Sequence, residues 1–96
     1  MTDKLPKKCK GSFKVRNDKG LHTRPSTELV KCAASFRSKI ELSCKNYVVN
    51  AKSLLGILML AANKGALIRV EAFGTDSNEA VEALLRLANN NFNVNY

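Results

Sequence analysis

The stretch from Gly20 to Ser26 constrains this chain most, because it joins two segments with different hydrophobic periods. Before it, residues 13–16 alternate apolar and charged side chains, which is typical of a half-buried strand. After it, apolar side chains recur every three or four residues and predict one helix face: Leu29, Cys32, Ala33 and Phe36. Pro25 fits a first helical turn, where a backbone N–H has no partner to lose. The pattern therefore places His22, the only histidine of the chain, where a strand ends and a helix begins.

The start of a helix is a favourable place for an anion. Its first backbone N–H groups have no intrahelical acceptor and lie at the positive end of the helix dipole, so phosphate binds there. Arg24 adds a guanidinium that matches phosphate oxygens, and an imidazole is a good nucleophile near neutral pH. We therefore predict that His22 forms a phosphohistidine and that Thr23 and Arg24 bind its phosphate. The alternative is a structural histidine that caps the helix, with Arg24 solvated.

Two segments carry a resemblance to a known family. Gly20–Pro25 resembles the phosphorylation-site signature of the HPr family, the histidine phosphocarriers of the bacterial phosphoenolpyruvate:sugar phosphotransferase system. Asn50–Gly56 is similar to the regulatory-serine segment of that family, and Lys64–Ala66 to the turn that follows it. Many members have alanine at the position of Thr23, so this threonine is a departure inside the motif. The resemblance extends roughly over residues 12–90.

The resemblance implies a phosphocarrier rather than an enzyme that turns over a substrate. Phosphorylated Enzyme I is the implied donor to Nδ1 of His22, and the enzyme II A components of sugar transporters are the implied acceptors. No cofactor or metal is implied, and we expect a monomer. A regulatory HPr relative without a transport duty is the alternative within the family.

Hydrophobic periodicity predicts an α+β protein with the order β-α-β-β-α-β-α. Residues 1–11 are predicted to be a flexible basic leader and residues 12–96 a single domain. The predicted strands are 12–17, 39–44, 47–49 and 66–73, and the predicted helices are 23–37, 53–64 and one that a capping box of Asp76 and Glu79 begins. The tail after Asn89–Asn91 is predicted to fray. Polar outer strand faces favour a two-layer open-faced sandwich, and the resemblance implies a four-stranded antiparallel sheet with three helices on one face.

The predicted helix 53–64 has two apolar arcs instead of one. The arc expected to pack on the sheet contains Ile57, Leu60 and Ala61. The arc expected to point away contains Leu54, Leu55, Leu58 and Met59. Because an outer helix face is normally polar, the second arc predicts a docking surface, unless a neighbouring element covers it. In the family that the chain resembles, the positions of Leu54, Leu55 and Leu58 contact partners.

Ser53 stands at the start of this helix and is an N-cap candidate, since its hydroxyl can accept a first-turn N–H. The resemblance adds a second role, because in some bacteria an HPr kinase/phosphorylase phosphorylates the matching serine from ATP. A phosphate at Ser53 would place about two negative charges beside Leu54 and Leu55. Regulation of docking by phosphorylation of Ser53 is therefore a hypothesis alongside the structural cap.

The charge of the chain keeps a second ligand class open. There are 16 Lys and Arg against 8 Asp and Glu, a formal net charge of +8. A nucleic-acid-binding module would use outward basic residues of the strands, namely Lys14, Arg16, Lys39 and Arg69. Single-strand binders stack bases on clustered aromatic rings, which this face lacks, and Glu41 and Glu71 interrupt it. Nucleic acid is therefore the less favoured alternative.

Local patterns argue against other classes of protein. Residues 1–10 are polar and basic, unlike a signal peptide, and the longest apolar run, Leu54–Ala62, is about half of what spans a membrane. The cysteines have no metal-ligand spacing; Cys32 and Cys44 fall on apolar faces, and Cys9 lies in the leader. We expect a cytoplasmic protein without membrane insertion or a metal site.

Overall fold

The computed structural model describes residues 8–93, and its elements follow the predicted order β-α-β-β-α-β-α. The strands are β1 (Lys8–Lys14), β2 (Lys39–Cys44), β3 (Tyr47–Asn50) and β4 (Leu67–Phe73). The helices are α1 (Thr23–Ala34), α2 (Leu54–Met59) and α3 (Ser77–Asn89), and a 3₁₀ turn follows at Asn91–Asn93. No helix within residues 8–93 is long and apolar enough to cross a bilayer.

The four strands form one antiparallel sheet in the order β1-β4-β2-β3. Val70 lies in the middle of this sheet, opposite Gly11 on β1 and Leu42 on β2. Alternate residues of β2 and β4 are fully buried, because one face of the sheet is covered by the three helices while the other stays open. The predicted open-faced sandwich of four strands and three helices is confirmed.

The first strand begins earlier than its periodicity predicted. It covers Lys8–Lys14 rather than 12–17, so residues 8–11 belong to the sheet and not to a leader. An added Cβ at Gly11 would lie 2.9 Å from side-chain atoms of Val81 and Leu85, so the strand presses closely against α3 there. Its outward Lys8 and Lys10 pair with Glu71, at 3.8 and 3.9 Å. These partners are distant in the sequence, which explains why the local pattern missed them. Residues 1–7 of the predicted leader lie outside the described residues.

Two helices end earlier than predicted. Helix α1 stops at Ala34 instead of residue 37, and the hydroxyl of Ser35 donates to the carbonyl of Cys32, 2.6 Å away. Helix α2 stops at Met59 instead of residue 64, and Ala61 then takes a left-handed φ of +49° that no α-helix allows. The prediction that Ala61 packs on the sheet is wrong, since Ala61 is exposed, whereas Ile57 and Leu60 are buried as predicted.

Asp76 does not form the predicted capping box. Its side chain makes no cap bond to α3. Instead its carboxylate accepts the backbone N–H groups of Arg37 and Ser38, at 2.8 and 2.9 Å, and the hydroxyl of Ser38. These donors hold the pKa of Asp76 below its usual value, and the Ser38 hydroxyl has the largest effect. The carboxylate therefore ties the turn before β2 to the turn after β4.

The chain after α3 is part of the core as far as it is described. Phe92 is 1% exposed, and its ring meets that of Phe13 edge to face with 5.8 Å between the ring centroids. The predicted fraying is therefore wrong for Phe92 and Asn93, and residues 94–96 lie outside the described residues. Cys44 is buried as predicted; Cys32 is half-buried, and burial raises the pKa of its thiol.

Candidate functional site

His22 is the residue immediately before α1, with an extended backbone at φ −84° and ψ −165°. Its N–H donates to the carbonyl of Gly20 at 3.0 Å, and its own carbonyl accepts the N–H of Ser26 at 3.1 Å. The ring is half-buried, with Nε2 on the buried side. His22 is the N-cap residue of α1, but its side chain makes no capping hydrogen bond to the first turn. The predicted place at a helix start is confirmed, although β1 already ends at Lys14.

The loop that carries His22 is held from two sides. On one side the N–H of Leu21 donates to the carbonyl of Ala62 at 2.9 Å, and Gly20 lies directly against that carbonyl. On the other side the buried hydroxyl of Ser26 donates to the carbonyl of Leu21 at 3.1 Å. No sequence pattern indicated a role for Ala62, because it acts through its backbone. Ser26 stood in the motif, but nothing in the sequence specified its hydrogen bond.

The opening turn of α1 leaves donors for an anion. The amides of Thr23 and Arg24 are the first two of the helix and have no intrahelical acceptor, and Pro25 has no N–H at all. Within residues 8–93, neither amide donates to another protein group. No acidic residue lies in this first turn, and the Arg24 side chain is exposed. The positive end of the helix dipole is therefore accessible beside the imidazole.

A pocket of about 260 Å³ collects these groups: it is lined by His22, Thr23, Arg24, Thr27 and Glu28. The hydroxyl of Thr27 donates to the carbonyl of Thr23 at 2.7 Å, which fixes the wall of the pocket. Glu28 is the one carboxylate in this lining, and Lys31 pairs with it at 3.5 Å. The predicted set of His22, Thr23 and Arg24 is therefore brought together at one small pocket.

Ser53 lies at the start of α2 and caps it as predicted. Its hydroxyl accepts the N–H of Gly56 at 3.0 Å, and its own N–H donates to the carbonyl of Asn50 at 3.0 Å. The neighbouring Lys52 donates from Nζ to the carbonyl of Phe36 at 2.8 Å, which ties this turn to the end of α1. The Ser53 side chain is half-buried, so it is both a structural cap and a group at the surface.

The outer arc of α2 is exposed, as predicted. Leu54, Leu55 and Met59 are 37%, 68% and 71% exposed, whereas Leu58 is half-buried. We call these four residues the α2 apolar surface. Helix α2 packs beside α1, and Ala62, just after α2, contacts the loop of His22. No described element covers the exposed leucines, so the alternative of a covering neighbour is wrong for residues 8–93.

The open face of the sheet carries charges that neutralise one another in part. Glu71 faces Lys8 and Lys10, and Glu41 pairs with Lys39 at 3.7 Å. Among the outward positions of the described strands, the one aromatic ring is Phe73, which Lys8 covers at 5.4 Å from the centroid. This face therefore offers neither clustered aromatic rings nor an uninterrupted basic stripe to a nucleic acid.

Comparison with known proteins agrees with this geometry. The family model PTS-HPr, described as the PTS HPr component phosphorylation site, matches residues 9–90. The phosphocarrier protein HPr of Xylella fastidiosa is 44% identical over 79 residues, which cover 82% of this chain and 89% of that protein. HPr of Neisseria meningitidis serogroup A is 40% identical over 83 residues, or 86% of this chain and 93% of that protein.

Solved structures give the same result. The crystal structure of HPr-C-His from Thermoanaerobacter tengcongensis is similar to this fold with a TM-score of 0.86 at 34% sequence identity, covering 92% of this chain and 99% of that one. Fold, motif and sequence agree over nearly the whole described range. The chain belongs to the PTS-HPr family, the phosphocarrier proteins of the phosphotransferase system that serves sugar transport.

Proposed function

We propose that His22 is the residue that carries the phosphoryl group, receiving it from phosphorylated Enzyme I and passing it to the A components of sugar transporters. The observation that carries this proposal is the position of the imidazole directly before α1, beside the amides of Thr23 and Arg24. Burial of Nε2 favours Nδ1 as the nitrogen that an incoming phosphoryl group reaches. The role is that of a carrier in the cytoplasm that needs no metal or cofactor and acts as a monomer.

The transfer is a displacement at phosphorus. The lone pair of Nδ1 forms the N–P bond while the bond from phosphorus to the donor breaks, and the electron pair stays with the donor. The two amides and the Arg24 guanidinium bind the oxygens of the phosphoryl group as it moves. Onward transfer reverses these steps, so the site must not hold the phosphorylated form too tightly. The exposed position of Arg24 suits this balance, because solvent weakens its attraction for phosphate.

The proposal is tested by incubating the protein with phosphoenolpyruvate and Enzyme I and measuring acid-labile phosphate. We expect one labile phosphate on the native chain and on Ser53→Ala, and none on His22→Ala. Labile phosphate that persists in a folded His22→Ala would overturn the assignment. Adding an A component separates the two roles within the family. Loss of phosphate to the A component supports transport, and retention supports the regulatory alternative.

We also propose that Ser53 is a regulatory site for an ATP-dependent HPr kinase/phosphorylase. Phosphorylation would convert the hydroxyl that accepts the N–H of Gly56 into a phosphate ester, which the start of α2 favours, and would add about two negative charges next to Leu54 and Leu55. A charged group there opposes the burial of apolar side chains in a complex. An acid-stable phosphate that is present in the native chain and absent from Ser53→Ala supports this role. No acid-stable phosphate after treatment with kinase and ATP would contradict it.

A further inference from the structure

The segment between α2 and β4 packs against the loop that carries His22. The N–H of Leu21 donates to the carbonyl of Ala62 at 2.9 Å. Farther along, Gly65 donates to the carbonyl of Val15 at 2.7 Å, and Val15 donates to the carbonyl of Ala66 at 2.9 Å. These bonds join two segments that are more than forty residues apart in the sequence. The bond to Ala62 is the one nearest His22.

The direction of the Ala62 carbonyl depends on an unfavourable backbone conformation. Ala61 has a φ of +49°, a region that residues with a Cβ rarely adopt. Its side chain is exposed and so gains no burial from this conformation, whereas Ala62 is 5% exposed. The turn is held at its start by the N–H of Ala61, which donates to the carbonyl of Leu58 at 3.1 Å. Strain of this kind persists only where the surrounding contacts impose it.

Gly20 completes the contact from the other side. Its φ is +72°, and an added Cβ would lie 2.3 Å from the Ala62 carbonyl oxygen and 3.0 Å from the Cα of Asn63. The carbonyl of Gly20 also accepts the N–H of His22 at 3.0 Å. The carbonyl of Ala62 therefore lies against the residue that binds the backbone of His22. A short series of contacts thus leads from Leu58, in the α2 apolar surface, to His22.

We propose that the Ala61–Ala62 turn is a positioning element for His22: it fixes the loop so that the imidazole stays beside the amides of Thr23 and Arg24 while a partner occupies the α2 apolar surface. This inference rests on the proposed phosphorylation of His22. The turn touches no phosphoryl group itself. It therefore acts on the rate of transfer within the docked complex rather than on docking.

Two glycine substitutions provide a matched test. Gly20→Ala and Gly65→Ala both place an alanine at a positive φ, of +72° and +91°, but an added Cβ at Gly65 has no atom within 4 Å. Both variants therefore carry backbone strain, and only Gly20→Ala pushes on the Ala62 carbonyl. We compare both with the native chain in phosphorylation by Enzyme I, as maximal rate and as KM for the carrier, under conditions where all are folded by circular dichroism.

We expect Gly20→Ala to lower the maximal rate by about tenfold or more with KM changed by less than about twofold, because misplacement of a reacting group slows chemistry without weakening docking. We expect Gly65→Ala to keep both values within about twofold. The imidazole ¹⁵N shifts of His22, which require no transfer, should move in Gly20→Ala and not in Gly65→Ala. Equal effects of the two substitutions would overturn the proposal.

Ala61→Gly provides a second test of the turn that does not require Gly20→Ala to fold. Glycine tolerates the positive φ, so this variant should be at least as stable as the native chain, yet its turn is looser. We expect faster exchange of the Leu21 amide and a maximal rate lowered about two- to fivefold despite the unimpaired stability. An unchanged rate would contradict positioning. If the native chain took no phosphate on His22, the proposed function would fail, whereas the ¹⁵N shifts would still decide whether the turn positions the ring.

Discussion

Leu55 provides a direct test of the α2 apolar surface, because it is 68% exposed in the isolated chain. Complete burial of a leucine side chain contributes about 1.5–3 kcal/mol, so hiding the exposed two-thirds in a complex is worth about 1–2 kcal/mol. Leu55→Ala removes most of that area. We expect the dissociation constant for phosphorylatable Enzyme I, measured by isothermal titration calorimetry, to rise about 5- to 30-fold. The free energy of unfolding should change by less than about 0.5 kcal/mol, because the side chain is on the surface and alanine favours helix.

Leu67→Ala is the matched control for this prediction. Leu67 is also an exposed leucine, at 45%, but it lies on β4 and on the open face of the sheet. We expect its substitution to leave the dissociation constant within about twofold of the native value. Leu58 is less suitable for the test, because it is half-buried and its substitution would change folding as well as docking. Equal dissociation constants for Leu55→Ala and Leu67→Ala would refute the assignment of docking to α2.

Three further predictions concern stability. Ser53→Ala removes the cap hydrogen bond of α2 and should lower the free energy of unfolding by about 1 kcal/mol in urea titrations; no change would mean that the cap does not stabilise this short helix. Phe92→Ala empties a site in the core beside Phe13 and should lower it by about 3–5 kcal/mol, whereas a loss below about 1 kcal/mol would contradict the burial of the chain end. The third concerns Asp76, whose pKa is lower in the folded chain than its usual 3.8, so its ionised form stabilises folding above about pH 4 and this stability is lost as the pH falls through the lowered pKa. Asp76→Asn should therefore weaken the pH dependence of unfolding below about pH 4, and an unchanged slope would contradict the role of its hydrogen bonds to Ser38.

Hydrophobic periodicity was sufficient to predict the position of a strand or helix that has one buried face. In β4, Ile68, Val70 and Ala72 are all fully buried, and the predicted bounds were off by one residue. The same alternation predicted both ends of β2 correctly, at Lys39 and Cys44. The position of His22 before α1 was predictable because Pro25 and the helical period after it fix where the helix begins.

Features that depend on distant contacts were not predictable in this way. The beginning of β1 depends on the close packing of Gly11 against α3. A glycine between Lys10 and Ser12 does not by itself indicate a strand. Asp76 matched a local capping pattern, but the amides of Arg37 and Ser38 compete for its carboxylate. The end of α2 is set by the turn at Ala61, whose partner is forty residues away in the loop of Leu21.

The chemical environment of the phosphate is likewise only partly encoded in the motif. His22, Thr23 and Arg24 could be named from the sequence, because they adjoin one helix start. Their support could not, since Ser26 acts on the carbonyl of Leu21 and Ala62 acts through its own carbonyl. Backbone groups have the same chemistry in every residue, so only their arrangement in the fold shows which of them matters.

Phosphorus–nitrogen coupling in the phosphorylated chain is the most direct test of the central claim. The chain has one histidine, so ¹⁵N labelling of histidine produces a single imidazole in the spectrum. After incubation with phosphoenolpyruvate and Enzyme I, we predict coupling of phosphorus to Nδ1 of His22. A stably phosphorylated chain without coupling to either imidazole nitrogen, or coupling at the buried Nε2 alone, would contradict the account.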